Sequence, residues 1–157
     1  MLLNLEHLKL LNVRGAKIER GTGGQPDVTW DDVAMMLLSV SRTTSAYARY
    51  RYADDAHEWH LIRSGVLAQV QQTKEWQRKD SEAYWETLTF MALRAFCSGK
   101  DMTKLEKARY VGLRWWKAEM EKHYQMIVGI LSDHDAELRI AIREWNQRNL
   151  EVAGQHV

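Results

Sequence analysis

The sequence contains little that would interrupt a helix. Pro26 is the only proline among the 157 residues, and it lies in a stretch that also holds Gly21, Gly23 and Gly24. No segment of useful length alternates apolar and polar residues as a half-buried strand does. Proline is the residue that a helix interior tolerates least, so most of the chain is free to be helical. The sequence therefore predicts an all-α fold.

Cysteine, excess charge and long apolar runs are also scarce. Cys97 is the only cysteine, so no internal disulfide can form, and we expect it to be a small buried side chain. A formal net charge of +1 excludes a bulk polycation, so any nucleic-acid binding must come from local patches. No apolar run approaches the ~18 residues of a membrane span, and the first residues lack the basic start of a leader peptide. We therefore expect a cytoplasmic protein without a membrane span.

The spacing of apolar residues divides the chain into about five to six helices, which we expect to pack as one compact domain over residues 1–157. After the first helix comes a glycine-rich connector, residues 13–28, which we expect to be mobile. Buried stripes are predicted at Val33, Met36, Leu37 and Val40 and at Trp59, Ile62, Val66 and Val70. The predicted helices cover residues 2–11, 30–50, 54–77, 80–97 and 103–150, the last with a break near Gly112 or at residues 132–135.

Capping residues mark several helix ends. Thr29 precedes Trp30 and two aspartates, and aspartate favours the positive end of a helix dipole. Thr103 and Glu106 have the spacing of a capping box, in which each side chain bonds to the backbone amide of the other residue. Gly99 follows the fourth helix and suits a helix C-terminus. These signals predict three helix boundaries.

The histidines do not form the pattern of a helical metal site. His57 and His60 are three residues apart, and Glu119 and His123 are four apart. A di-metal site in a helical bundle needs paired Glu-x-x-His segments and carboxylates from several helices, and the sequence holds no such pair. We therefore expect these histidines at the surface or at an interface, and we expect no metal or other cofactor.

No nucleophile motif is present either. Ser132, Asp133, His134 and Asp135 place an imidazole between two carboxylates, but a serine triad needs a nucleophile on a sharp turn and an oxyanion hole. We interpret these four residues as a helix cap, and Asp54-Asp55 as the complement of a helix dipole. The chain is therefore expected not to be an enzyme, although a metal-dependent bundle enzyme stays open as an alternative class.

Two stretches are better suited to binding. Residues 41–52 combine arginines and tyrosines with no acid, and such side chains contact phosphates and stack on bases. Residues 100–122 carry seven basic residues against four acids and include Trp115-Trp116. Consecutive helical side chains point about 100° apart, so at most one of these indoles fits comfortably in a core. For both stretches the alternative is a solvated charged face, with the tyrosines of the first stretch partly in the core.

Five short segments match one known family in order and spacing. They are Asp27-Val28-Thr29-Trp30, Asp54-Asp55-Ala56, residues 88–93, Lys117-Ala118-Glu119 and residues 127–131. Together they resemble the smaller, lambdoid class of phage Q-type late-gene antitermination proteins. The region after Phe96 is longer than in that family, and the residues from Ser132 onward have no counterpart there.

The resemblance implies a transcription regulator. Proteins of that family bind DNA near a late promoter, load onto paused RNA polymerase and narrow the RNA exit path, so that terminator hairpins cannot form. It also implies a helix-turn-helix in the second half, for which residues 97–100 supply the turn and residues 102–114 the second helix. Charge and position then give the candidate DNA contacts Lys100, Lys104, Lys107, Arg109 and Arg114, and the candidate RNA or polymerase contacts Arg42, Arg49, Arg51 and Tyr50.

A second class of function fits the composition without DNA. Seven tryptophans and seven methionines are unusual in a chain of this length, and both residue types serve protein-binding surfaces. On this alternative the chain is a helical protein-interaction module, for example an inhibitor of a host enzyme. A nucleic-acid binder is expected to lose affinity steeply as salt is added, whereas the module needs a specific protein partner. No pattern in the sequence indicates an oligomeric state.

Overall fold

A computed structural model describes residues 2–12, 28–112 and 116–155 of the chain. These residues form seven α-helices, two 3₁₀ helices and no strand, so the predicted all-α fold is confirmed. None of the described helices is long and apolar enough to span a membrane. Residues 13–27 of the predicted connector lie outside the described residues, as do Arg114 and Trp115.

The described residues belong to two compact units. The elements, in chain order, are a 3₁₀ helix at Leu5–Asn12, α1 at Trp30–Leu37, α2 at Arg42–Tyr52, a second 3₁₀ helix at Ala56–Glu58, α3 at Trp59–Gln71, α4 at Lys74–Arg78, α5 at Glu82–Ser98, α6 at Lys104–Val111 and α7 at Ala118–Gln155. The first unit comprises Met1–Trp59 and Asp135–Val157, and the second comprises His60–His134. The long helix α7 therefore contributes residues to both units.

The first unit is closed by its N-terminal segment. The side-chain amide of Asn146 on α7 pairs with the backbone of Leu3, accepting its N–H at 2.8 Å and donating to its carbonyl at 2.9 Å. The N–H and carbonyl of Leu3 belong to no helix or sheet, and this pairing gives both of them a hydrogen-bond partner. The predicted stripe is confirmed at Val33, Met36 and Leu37 of α1, whereas Val40 lies beyond the end of this helix and is only partly buried. The core contains Leu3, Leu8, Leu11, Val33, Met36, Leu37, Leu138, Ala141 and Ile142.

The second unit buries apolar side chains of α3, α5 and α7. The predicted stripe of α3 is confirmed at Ile62, Val66 and Val70, which are fully buried. Trp85 of α5 is also buried, and its indole N–H donates to the carbonyl of Lys79 at 2.6 Å. A buried indole needs such an acceptor because its one polar group would otherwise be left without water. The other large buried side chains are Leu88, Met91, Leu93, Tyr124, Ile127 and Leu131.

The predicted helix over residues 30–50 is wrong, because it breaks after Leu37. Ser41 is the N-cap of a separate helix, and its hydroxyl accepts the N–H of Thr44 at 3.2 Å. The carboxylate of Glu137 accepts the N–H of Ser41 at 2.7 Å across a separation of 96 residues. A serine inside an amphipathic run did not indicate a boundary, since the acceptor that completes this cap comes from α7.

The other long helices also differ from their predicted lengths. The helix predicted over residues 54–77 forms the second 3₁₀ helix, α3 and α4, and the hydroxyl of Thr73 donates to the carbonyl of Val70 at 2.6 Å where α3 ends. The break predicted near Gly112 is confirmed, with a positive φ of 90° at this glycine. α7 continues through residues 132–135, so the helix cap predicted there is wrong.

Local capping signals are confirmed at the predicted residues. Thr29 forms a complete capping box with Asp32, and Thr103 forms one with Glu106. Gly99 ends α5 in the left-handed conformation, with a φ of 71°. Asp55 caps the second 3₁₀ helix by accepting the N–H of His57 at 3.1 Å. Each of these signals acts over a few residues, which is why the sequence alone revealed it.

Replacing Glu137 with alanine should destabilise the first unit. Its carboxylate accepts hydrogen bonds from the Ser41 N–H and hydroxyl at 2.7 and 3.2 Å and from the buried Thr44 hydroxyl at 2.5 Å. Since these donors would lose that acceptor, we expect the free energy of unfolding to fall by about 1–3 kcal/mol, as measured by urea denaturation. Asp133→Ala, at an exposed site one turn earlier on α7, is the matched control. Equal losses in the two variants would contradict the role of Glu137.

Candidate nucleic-acid interface

The region predicted as a helix-turn-helix contains two helices joined by a short turn. α5 ends at Ser98, and the N–H of Gly99 donates to the carbonyl of Phe96 at 3.3 Å. Thr103 then starts α6, which ends at Val111 and is shorter than the predicted second helix over residues 102–114. The predicted succession of helix, turn and helix is therefore present in the second unit.

Three of the predicted DNA contacts lie at the surface of this segment. Lys100, Lys104 and Arg109 are exposed, and none of them forms an ion pair with another described residue. The carboxylates nearby accept hydrogen bonds from backbone N–H groups. Asp101 accepts the N–H of Met102 at 2.9 Å, and Glu106 accepts the N–H of Thr103 at 3.3 Å. These three cations are therefore available to phosphates.

Lys107 has a different environment from the other predicted DNA contacts. It is only 5% exposed, and its Nζ lies 2.8 Å from Oε1 of Glu121 on α7. The same ammonium lies 4.5 Å from the ring centroid of Tyr124 and 5.9 Å from that of Trp116. Because it connects α6 to α7 inside the unit, Lys107 is not available to a phosphate here. Arg114, the fifth predicted contact, lies outside the described residues.

The carboxylate of Glu121, which pairs with Lys107, also accepts hydrogen bonds from two other side chains. Its second oxygen accepts the indole N–H of Trp116 at 2.9 Å, and its first also accepts from Gln125 at 3.1 Å. Burial raises the pKa of Glu121, but the hydrogen bonds from Lys107, Gln125 and Trp116, together with the charge of Lys107, lower the pKa by more, so it lies below its ordinary value. The group therefore stays ionised and opposite Lys107 at neutral pH.

The second set of predicted contacts lies on α2 in the first unit. Arg42 is exposed, while Arg49 and Tyr50 are half-buried. Arg51 points inward, where its Nη1 donates to the hydroxyl of Tyr47 at 2.7 Å and to Asp135 at 3.1 Å. Arg51 therefore holds α2 against α7, and Arg42, Arg49 and Tyr50 remain as candidate contacts on this helix.

Asp135 collects the polar groups of this internal cluster. The hydroxyls of Tyr47 and Tyr52 both donate to its Oδ1 at 2.9 Å, and Nε of Arg139 donates to its Oδ2 at 2.7 Å. Burial raises the pKa of Asp135, but the hydrogen bonds from Arg139 and the two tyrosines lower it by more. Burial also raises the pKa of Tyr47. The alternative that the tyrosines are partly core is therefore correct for Tyr47, which is fully buried.

A buried histidine network in the second unit was not predicted. His123 was expected at the surface or at an interface, but it is 1% exposed and packs against Trp85 with ring centroids 4.7 Å apart. Its Nε2 lies 2.8 Å from Glu75, and its Nδ1 lies 2.7 Å from the hydroxyl of Tyr84. Since a carboxylate only accepts hydrogen bonds, Nε2 carries the proton in the neutral ring and Nδ1 accepts from Tyr84.

The surroundings of His123 are those of a closed structural network. Glu75 also accepts from Lys122 at 3.0 Å. Burial, with the nearby charges of Glu119 and Glu75, raises the pKa of Tyr84 to about 12, which disfavours its use as a nucleophile. Among the described residues, no buried side-chain polar atom lacks a hydrogen-bond partner. Glu75 and His123 are 48 residues apart, so no local spacing in the sequence indicated that they meet.

The remaining candidate residues also have defined positions. His57 and His60 are exposed, as predicted. His134 is buried and its Nε2 lies 2.8 Å from Oε1 of Gln69, which is a helix-packing contact in place of the predicted cap. Cys97 was expected to be buried and is exposed instead, because it lies at the end of α5 on the side away from the core. No cluster of three metal-ligating side chains occurs within the part of the chain that the structure describes.

No protein-family model, curated protein or solved structure matches the chain.

Replacing Glu75 with glutamine should remove part of the pH dependence of stability. The pKa of Glu75 is lowered to about 2, first by the hydrogen bond with His123 and then by that from Lys122. A lowered carboxyl pKa contributes stability above the ordinary value of 4.5, and this contribution is lost as the pH falls from 4.5 toward 2. In urea denaturation, the free energy of unfolding of the wild type should therefore exceed that of the variant most near neutral pH. The difference should be smaller in acid. A difference that stays constant across this range would contradict the assignment.

Proposed function

We propose that the chain is a phage-type transcription antitermination factor, which binds DNA near a late promoter and modifies RNA polymerase to read through terminators. The observation that carries the proposal is the set of exposed cations on the turn and helix after α5, namely Lys100, Lys104 and Arg109. The order of the five matched segments supports the same class of protein. According to this proposal, the chain acts by binding DNA and polymerase and not by catalysis.

The dimensions and side chains of α6 support contact with a duplex. Eight helical residues rise by about 12 Å, which spans roughly three to four phosphates along one DNA strand. Leu105 and Tyr110 are also exposed, at 53% and 38%. Apolar side chains contact thymine methyl groups in the major groove, and a tyrosine hydroxyl bonds to phosphates. The helix thus combines charge for affinity with side chains that can reach bases.

The proposed RNA or polymerase contact uses α2. Arg42 is exposed, and Arg49 and Tyr50 are half-buried, whereas Arg51 is held by Asp135. Arginine donates to phosphate or carboxylate groups in a fixed geometry, so it suits either partner. The proposal therefore assigns this contact to Arg42, Arg49 and Tyr50.

A helical protein-interaction module is the second candidate, and the exposed side chains of α1 favour it. Trp30 and Met35 of that helix are 42% and 60% exposed, and Leu38, the C-cap residue that follows it, is 83% exposed. Large apolar side chains on one short helix are typical of a surface that docks on another protein. This function predicts a specific protein partner and no DNA binding, which separates it from the first candidate.

Duplex binding should depend on the cations of α6. In a gel-shift titration with the DNA immediately downstream of the chain's own gene, Lys104→Gln with Arg109→Gln should weaken binding. If each residue contacts one phosphate, the slope of log K against log salt concentration should fall by about one per residue. Lys74→Gln is the matched control, since Lys74 is an exposed lysine of the same unit on α4.

The same titration distinguishes the two candidate functions. A specific, salt-sensitive shift that the double variant weakens and Lys74→Gln leaves intact supports antitermination. Equal weakening in the control indicates general charge attraction and contradicts a site on α6. If wild type gives no shift even at low salt, the protein-interaction module becomes the better account.

A further inference from the structure

A cavity of about 450 Å³ lies within the first unit. Its wall is formed by the end of the N-terminal 3₁₀ helix, the start of α1, the last turn of α2 and the second 3₁₀ helix. The residues that line it are Leu11, Asn12, Trp30, Arg49, Asp55 and His57. The set combines an indole, a guanidinium and a carboxylate with smaller polar groups, and nothing in the fold requires these three chemistries to share one space.

The backbone fixes the charged members of the cavity with respect to each other. The carbonyl of Arg49 accepts the N–H groups of Ala53 and Asp55, both at 3.1 Å. The turn between them passes through Asp54, which has a left-handed φ of 52°. The carboxylate of Asp55 in turn accepts the N–H of His57 at 3.1 Å. Arg49 and Asp55 are therefore held on opposite ends of one tight turn.

Two of the lining side chains have groups that the protein itself does not use. The indole of Trp30 is 42% exposed and neither stacks on nor hydrogen-bonds to another described residue. The guanidinium of Arg49 forms no ion pair or side-chain hydrogen bond within the described ranges, in contrast to that of Arg51. An exposed aromatic face and an unpaired cation in one cavity are features of a ligand site.

The chemistry of these groups matches one nucleotide. A base can stack on an indole irrespective of its identity, and an arginine binds the phosphate that follows it along the strand. A volume of about 450 Å³ lies within the range of sites that take one small ligand. We infer that the cavity binds one nucleotide of a single-stranded nucleic acid, with the base on Trp30 and the phosphate at Arg49. This inference rests on the proposed function, in which Arg49 is a contact to RNA or polymerase.

Asp55 gives the cavity a preference among bases. Its carboxylate can only accept hydrogen bonds. Oδ2 remains available, and Oδ1, which accepts one N–H from His57, keeps a second lone pair, so that both oxygens can accept from adjacent donors. Guanine presents two adjacent N–H donors on its Watson–Crick edge, whereas uracil presents one donor between two acceptors. Recognition of unpaired bases generally uses this edge. The site is therefore expected to prefer guanine over uracil.

Binding of labelled single-stranded RNA tests the inference. Fluorescence anisotropy would be measured with a strand of about 12 uridines and with the same strand carrying a central guanosine, a length that covers one site. Trp30→Ala and Arg49→Gln should each weaken binding of the guanosine strand about tenfold, while Asp55→Asn should remove the preference for it over the uridine strand. Asparagine is also a good cap residue, so the second 3₁₀ helix should persist in that variant.

Two matched controls in the same unit lie outside the cavity. Met35→Ala removes an exposed apolar side chain of α1, and Arg148→Gln removes an exposed arginine of α7. Neither should change the affinity for the guanosine strand or the preference for guanosine. Losses in Arg148→Gln that equal those in Arg49→Gln, together with an unchanged Trp30→Ala, would contradict binding in the cavity. Free guanosine monophosphate that binds as tightly as the strand would overturn the assignment to a single strand.

The experiments distinguish failure of the nucleotide site in the cavity from failure of the proposed function. The Lys104→Gln and Arg109→Gln double variant should bind the guanosine strand like wild type, because those residues belong to α6 in the other unit. Trp30→Ala should likewise keep the affinity of wild type for duplex DNA. Loss of duplex binding with intact strand binding therefore rejects only the α6 site, and the reverse result rejects only the cavity.

Discussion

The carboxylate of Asp135 is the point at which α2 is attached to α7. It is 15% exposed and accepts hydrogen bonds from two tyrosines and two arginines. Placing a carboxylate inside a protein costs several kcal/mol unless charged and polar partners satisfy it, and here both oxygens have such partners. Two residues later on α7, Glu137 completes the N-terminal cap of α2. The orientation of α2, and hence of Arg49, follows from the hydrogen bonds that these two acids of α7 accept.

Two carboxylates of α7 divide the basic residues of the chain into two groups. Lys107 and Arg51 are held by Glu121 and Asp135, and their work is to join helices. Lys104 and Arg109 have no such partner among the described residues and remain at the surface. Net charge alone, at +1, did not separate these roles. The distinction matters for function because only a cation without an internal partner can neutralise a phosphate at little cost.

Local signals in the sequence predicted much of the fold, and distant pairings were beyond them. The caps at Thr29 and Thr103 and the end of α5 at Gly99 each depend on neighbours within a few residues, and all three are present. The N-cap of α2 depends on an acid 96 residues away, and the burial of His123 depends on Glu75, 48 residues away. Charge and composition likewise indicated candidate contacts but could not reveal which of them the interior would use.

The proposal that the chain modifies RNA polymerase is tested most directly by transcription through a terminator. Purified host polymerase would transcribe a template that carries the region downstream of the chain's own gene ahead of a strong terminator. We expect the wild-type chain to raise the fraction of full-length transcripts, and a variant with Lys100, Lys104 and Arg109 all changed to glutamine to leave it at the level without protein. Read-through that does not change on addition of the wild-type chain, at concentrations where it binds the template, would contradict the account.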